Sequence, residues 1–212
     1  VNNMKKSTEA IRRFHQDDVI VSQVTCKYHG FFKMNEYQLS HKLFNGGQSE
    51  LIHREIFERG DAVVVMPYDP VQDKLLLIEQ FRPGALRRAD SPWLLEFIAG
   101  MFNEQEKPVD VAIREAKEEA DLQLNEQDIQ PIMEYLSSPG GMSESIHLYW
   151  AKINADEIKA GRVCGLDDEH EDILLHLVTR EQALTLLSEG KITNAATIIA
   201  LQWLALNYKG LA

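Results

Sequence analysis

Residues 100–122 read GMFNEQEKPVDVAIREAKEEADL. From Pro108, a residue suited to a first helical turn, the pattern predicts a helix with two unlike stripes. At about 100° per residue, Val109, Ala112, Ile113, Ala116 and Ala120 share one arc and form a core face. Glu115, Glu118 and Glu119 share the neighbouring arc. That crowding has a cost, because like charges at i,i+4 oppose a helix by about 0.2–0.5 kcal/mol per pair. Arg114 stands four residues before Glu118 and can brace it. Such a helix must lay its apolar stripe on another layer and leave its carboxylates to solvent or to a cation. Oxygen ligands on a rigid element suit Mg²⁺ or Mn²⁺. The preceding loop, AGMFNEQE, can add backbone carbonyls and Glu106.

The rest of the chain supplies the layer. AVVVMPYDP (62–70) and KLLLIEQF (74–81) are apolar runs separated by a Pro-Tyr-Asp-Pro turn, a hairpin signal within a larger sheet. FRPGALRRADSP is a basic loop marked by Pro and Gly, and WLLEFIAG leads into the helix segment. IQPIMEYLSS, SIHLYWAKI and ILLHLV are further strand candidates, with the acidic loop LDDEHED (166–172) before the last. Thr179 is placed to cap a helix in TREQALTLLSEG that stops at Gly190. Asn194 opens a final helix, NAATIIALQWLALNY, which is apolar on most faces and so is expected to be buried. Strands interrupted by helices imply an α+β sandwich. At the other end, residues 1–18 are polar and expected to be mobile or loosely helical. Residues 19–57 alternate like half-buried strands, with turn signals at His29-Gly30 and Asn45-Gly46-Gly47. Residues 1–57 are thus expected to form a small antiparallel β subdomain that needs a partner surface.

Charge and composition narrow the function. A net charge of -11 argues against a nucleic-acid surface. It leaves room for a phosphate-bearing small ligand, since a local metal or arginine cluster can reverse the sign of one cleft. No run reaches the roughly 18 apolar residues of a membrane-spanning helix. The opening VNNMKKSTEA has two lysines and no apolar segment, unlike a secretory signal. Cys26 and Cys164 lie far apart and outside any metal spacing, which fits reduced thiols in a cytoplasmic protein. At 212 residues the chain can hold one good core and a smaller subdomain.

Gly100, five residues, Glu106, seven residues and then Arg114-Glu115-Ala116-Lys117-Glu118-Glu119 resembles the Nudix box. One position departs: the family usually has Gly where this chain has Asp121, and that glycine helps end the helix and is not a ligand. The resemblance implies a Nudix α/β/α sandwich over residues 58–212. It also implies Mg²⁺-dependent hydrolysis of a nucleoside diphosphate linked to another group, with Arg114 and Glu118 as parts of the catalytic box.

Four further stretches resemble the bacterial ADP-ribose pyrophosphatase branch. SSPGGMSE (137–144) has the proline of that branch, and GLDDEHED (165–172) is similar to its acidic catalytic loop. Aligned so, Glu169 would be the general base and Glu171 a metal ligand beside Glu115, Glu119 and the Ala99 carbonyl. From HREIFERG (53–60) and FR (81–82), Arg54, Glu55, Arg59 and Arg82 would hold the substrate. From GFF (30–32), Phe31 and Phe32 would stack on an adenine. Met101, Ser138, Pro139, Gly140 and Glu144 would line the pocket. In similar enzymes the N-terminal segment belongs to a domain-swapped homodimer. The implied reaction splits ADP-ribose to AMP and ribose 5-phosphate. The alternatives are a hydrolase of another nucleotide sugar such as GDP-mannose, a non-catalytic ADP-ribose sensor, and an acidic metal-buffering protein.

Overall fold

The computed structural model describes residues 11–87, 90–103 and 105–211; the expectation for residues 1–10 lies outside them. Of the described residues, those in Val1–Arg59 and Ser138–Ser143 form one compact unit, and those in Gly60–Ser137 and Glu144–Ala212 form another.

The first unit is a three-stranded antiparallel sheet of β1 (Val19–His29), β2 (Lys33–His41) and β3 (Ile52–Glu58), in that order. Both expected turns are present, and Gly46 and Gly47 supply the positive φ that the β2–β3 connection needs. Residues 16–18 form a short 3₁₀ turn that leads into β1. The segment Ser138–Ser143 runs beside β3, where the Phe57 N–H donates to the Gly141 carbonyl at 2.9 Å. β1 is exposed along nearly its whole length, Val19, Ile20, Val21 and Val24 included.

The second unit is built on β4 (Asp61–Asp69) and β5 (Lys74–Phe81). Their near-continuous apolar runs are those of strands covered on both faces. Val63, Val65, Leu76 and Ile78 face one side, while Ala62, Val64, Met66, Leu75 and Leu77 face the other. Around them stand β6 (Trp93–Glu96), β7 (Ile98–Phe102), β8 (Ile129–Leu136), β9 (Ser145–Lys152), β10 (Val163–Cys164) and β11 (Ile173–Thr179). The sheet runs β10-β11-β5-β4-β9-β8, with β6 paired to β5 and β7 to β4; only the β4–β9 pairing is parallel. One face is covered by helix α1 (Pro108–Ala120), the other by α2 (Arg180–Ser188) and α3 (Ala195–Asn207). This is the α+β sandwich that the pattern of elements implied, with the α/β/α layering that the resemblance implied. Among the described residues no helix is long and apolar enough to cross a membrane.

Two expectations need correction. The turn between β4 and β5 is not Pro-Tyr-Asp-Pro, because Pro67, Tyr68 and Asp69 still belong to β4. The chain reverses over residues 70–73, where the buried Asp69 carboxylate accepts from the N–H groups of Val71 (2.8 Å), Gln72 (3.1 Å) and Ala155 (2.8 Å). Pro67 stands where β4 has left β7 and has not yet met β5, so on that side no ladder asks for its absent N–H. The last helix is also less buried than its composition suggests: Ala200, Leu201 and Leu204 are buried, but Leu206 is 85% exposed. Thr179 and Asn194 cap α2 and α3 as expected, each accepting from the backbone N–H three residues on.

Asp69→Ala should lower the free energy of unfolding by about 2–3 kcal/mol in a urea titration, since three backbone donors lose their acceptor. Those N–H bonds outweigh the burial that opposes them and hold the Asp69 carboxyl below its ordinary range. Its contribution is therefore fully present above the unfolded carboxyl pKa and fades as pH falls through the lower folded value. The gap between wild type and variant should narrow on acidification.

Candidate functional site

Helix α1 carries the core of the site. Val111, Ala112, Ala116 and Ala120 are buried against the sheet, with Val109 and Ile113 packed at the margin of the same core. Three alanines on that stripe let the helix lie close to β7. The adjoining stripe is then held at the edge of the sheet. Glu119 is only 2% exposed, and its Oε2 accepts from the Ala99 N–H at 3.0 Å. It is thus the N–H of Ala99 that the structure engages. Glu115 lies over Gly100, so closely that a Cβ there would collide with the Glu115 carboxylate. Gly100 is therefore needed for space.

Arg114 does more than brace Glu118. Its closest partners are Glu115 (2.8 Å) and Glu106 (3.1 Å), with Glu118 at 3.7 Å. Glu106 also accepts from the Asn103 backbone and side chain, so it ties the loop before α1 to Arg114. At the far end, Asp121 takes the left-handed conformation, φ +54°, that the expected glycine would have. Its N–H and that of Leu122 close the helix on the carbonyls of Lys117 and Ala116.

The acidic loop 165–172 joins β10 to β11. Residues 167–169 form a 3₁₀ turn that leaves Glu169 exposed. Glu171 is fixed by its own backbone: the Leu166 N–H donates to its carboxylate, and its N–H donates to the Leu166 carbonyl, both at 3.2 Å. Gly165, at φ +106°, lets the chain pass against Glu171, a requirement that the sequence signalled only by a glycine before the acidic run. Among the described residues no three His, Cys, Asp or Glu side chains converge as a finished metal cage. Glu115, Glu119 and Glu171 are nevertheless near enough to repel one another. Burial, Glu118 and Glu171 push the Glu115 carboxyl up, against the pull of Arg114. Burial above all, with Glu115 and Glu171 adding to it, pushes Glu119 up to about 8, against the Ala99 N–H and Arg82. The donor set is all oxygen and short of positive charge, which fits a hard divalent cation.

The remaining candidates are divided between the two units. In the second unit, Arg82 is held by Glu96 at 2.8 Å, and Gln80 reaches the same carboxylate at 3.4 Å; neither Glu96 nor Gln80 was singled out by sequence. Met101 is partly exposed on β7. Glu144 is buried and accepts from the Ser137 hydroxyl at 2.7 Å, so its first task is to hold that turn. In the first unit, Phe31 is 88% exposed, while Phe32 packs edge-on to Phe57 and lies under the Arg59 guanidinium. Arg54 and Glu55 are exposed on β3, with Arg54 donating to the His53 carbonyl. Ser138, Pro139 and Gly140 form an exposed turn closed by the Gly141 and Met142 N–H groups on the Ser138 carbonyl. A cavity of about 490 Å³ lies on the α2–α3 side of the second unit, walled by Leu77, Trp93, Leu95 and Val178 with the Glu79–His176 pair. None of the residues inferred from sequence lines it.

A raised carboxyl in the folded state binds its proton more tightly than in the unfolded chain, so it costs stability as pH rises from about 4.5 to about 8. In chelator, wild-type melting temperature should fall over that window, and Glu119→Gln should flatten the decline. Equal slopes for the two proteins would show that Glu119 is not the buried titrating group.

The NUDIX domain family matches residues 58–201. The chain is 46% identical over 198 residues to the ADP-ribose pyrophosphatase of Escherichia coli K12, covering 93% of each. It is 31% identical over 174 residues to the GDP-mannose pyrophosphatase of Yersinia enterocolitica, covering 82% of this chain and 87% of the other. A solved structure described as an ADP compounds hydrolase shares the fold with a TM-score of 0.68 at 21% identity, over 95% of this chain and 99% of that one. With the glutamate helix, the sandwich and these matches in agreement, the chain belongs to the Nudix family.

Proposed function

We propose that this protein hydrolyses the pyrophosphate bond of ADP-ribose, giving AMP and ribose 5-phosphate, with Mg²⁺ as its cation and Mn²⁺ as a substitute. The observation that carries the chemistry is the buried Glu119 beside Glu115 and Glu171, three carboxylates whose mutual repulsion a divalent cation would relieve. The substrate reading rests on the 46% identity to an enzyme named for ADP-ribose. The lower identity to a GDP-mannose pyrophosphatase keeps another nucleotide sugar as the second reading.

Glu115, Glu119, Glu171 and the Ala99 carbonyl would hold the cation, which when bound would offset pyrophosphate charge and lower the pKa of a water. Arg114 keeps Glu115 oriented and offsets part of the stripe's charge. Glu118, on the outer side of the same stripe, completes the acidic wall. Glu169, exposed at the tip of its loop, takes the proton of the attacking water as general base. Arg82 meets the diphosphate with a guanidinium already oriented by Glu96. On the first unit, Phe31, Phe32, Arg54, Glu55 and Arg59 would contact the nucleotide part, with Ser138, Pro139 and Gly140 as further substrate contacts; on the second, Met101 and Glu144 would contact substrate. In-line displacement at phosphorus asks for little beyond such positioning and charge stabilisation.

We also infer a cytoplasmic homodimer whose N-terminal β unit packs on its partner. The exposed apolar side chains of β1 support it, as do the free thiols of Cys26 and Cys164. Sedimentation equilibrium at micromolar concentration should give twice the chain mass; a monomer would remove this reading.

With Mg²⁺, ADP-ribose should give AMP and ribose 5-phosphate at a higher kcat/KM than GDP-mannose or diadenosine polyphosphate. Glu115→Gln or Glu119→Gln should lower kcat by about a thousandfold or more while the fold survives. Glu169→Gln should lower kcat by about 10²–10⁴-fold with little change in KM. Faster cleavage of GDP-mannose would move the specificity and keep the chemistry. Near-normal kcat in the glutamate variants would end the metal assignment.

A further inference from the structure

The Asp121 carboxylate is engaged twice, by Lys117 one turn back on α1 and by Arg162 across the fold. Arg162 stands at the foot of the acidic hairpin. Its carbonyl accepts from the Leu175 N–H at 3.0 Å, and β10 begins at the next residue. The same hairpin carries Glu169 and Glu171. The position is one where glycine would be easier, because a side chain at φ +54° is strained. Glycine would close the helix as well and would leave Arg162 without this partner.

We propose that Asp121 and Arg162 form a strap that fixes the foot of the acidic hairpin to the end of the glutamate helix, and so positions Glu169 and Glu171 against Glu115 and Glu119. Both are positioning residues and neither touches substrate. The inference rests on the catalytic reading of the hairpin given above. The strap works through charge and one guanidinium N–H placed by the length of the arginine side chain, so lysine at position 162 would replace it only in part. It also explains why Asp121 departs from the box without harm: the residue ends the helix as glycine does and adds a link that glycine cannot make.

The test uses the full chain with Mg²⁺ and ADP-ribose, comparing Asp121→Gly, Arg162→Ala, their double variant, Arg162→Lys and, separately, Glu169→Gln. Amide exchange at Glu171 and Leu175 should quicken about two- to fivefold in both single variants, the scale of one exposed ion pair, with the amides of α1 unchanged. Turnover should fall by a similar factor at constant KM, the double variant should be no worse than either single, and Arg162→Lys should recover part of the loss. Unchanged hairpin exchange, faster exchange throughout α1, or additive losses would each overturn the strap. If Glu169→Gln lowers kcat and the strap variants change neither exchange nor kcat, the strap alone fails. If Glu169→Gln leaves kcat intact, the catalytic reading of the hairpin fails, and a hairpin that still loosens makes the strap a structural tie only. Looser exchange with kcat unmoved, while Glu169→Gln is slow, likewise ends the positioning role.

Discussion

The packing of one alanine-rich helix face on β4 and β7 decides where the chemistry lies. Ala112, Ala116 and Ala120 are small, so α1 approaches the sheet closely, and Val111 fills the space between. The neighbouring stripe then has no choice of position. Glu119 is carried under the edge of the sheet and meets the Ala99 N–H, and Glu115 descends onto Gly100. The charged groups are held near one another by apolar contacts on the other side of the helix, which are worth far more than the few tenths of a kcal/mol that their repulsion costs.

Most of this was legible in the sequence because periodicity reports faces. The apolar and acidic arcs of α1, the apolar runs of β4 and β5, and the caps at Thr179 and Asn194 are all local patterns with a physical cause. The turn after β4 was misread because Pro67 looks like punctuation. Its place was settled instead by Asp69, whose carboxylate gathers N–H groups from its own turn and from Ala155, far along the chain. Likewise α3, apolar on most faces, was expected to be buried, yet a helix laid on a sheet leaves an outer face whatever residues it has.

Within the candidate site, the helix glutamates were readable and the supports of the other residues were not. Glu96 orients Arg82 and Gly165 makes room for Glu171, but each acts on a residue distant in sequence or through the absence of a side chain. Arg114 shows the same limit on a smaller scale. Helical spacing pointed to Glu118, which Arg114 does reach at 3.7 Å, but its closer partners are Glu115 and Glu106. Spacing tells which partners are within reach and leaves the choice among them to the surroundings.

The acidic hairpin has a mechanical consequence. Both of its feet are locked into a ladder, at Cys164 and Ile173, and Glu171 is stitched to Leu166 close to one of them. The Glu169 N–H donates to the same Leu166 carbonyl at 3.1 Å, so the loop backbone is pinned at both glutamates. What differs is the side chains: the Glu171 carboxylate accepts from the Leu166 N–H, while Glu169 is exposed. A short loop can thus present one held and one open carboxylate without its backbone having to move.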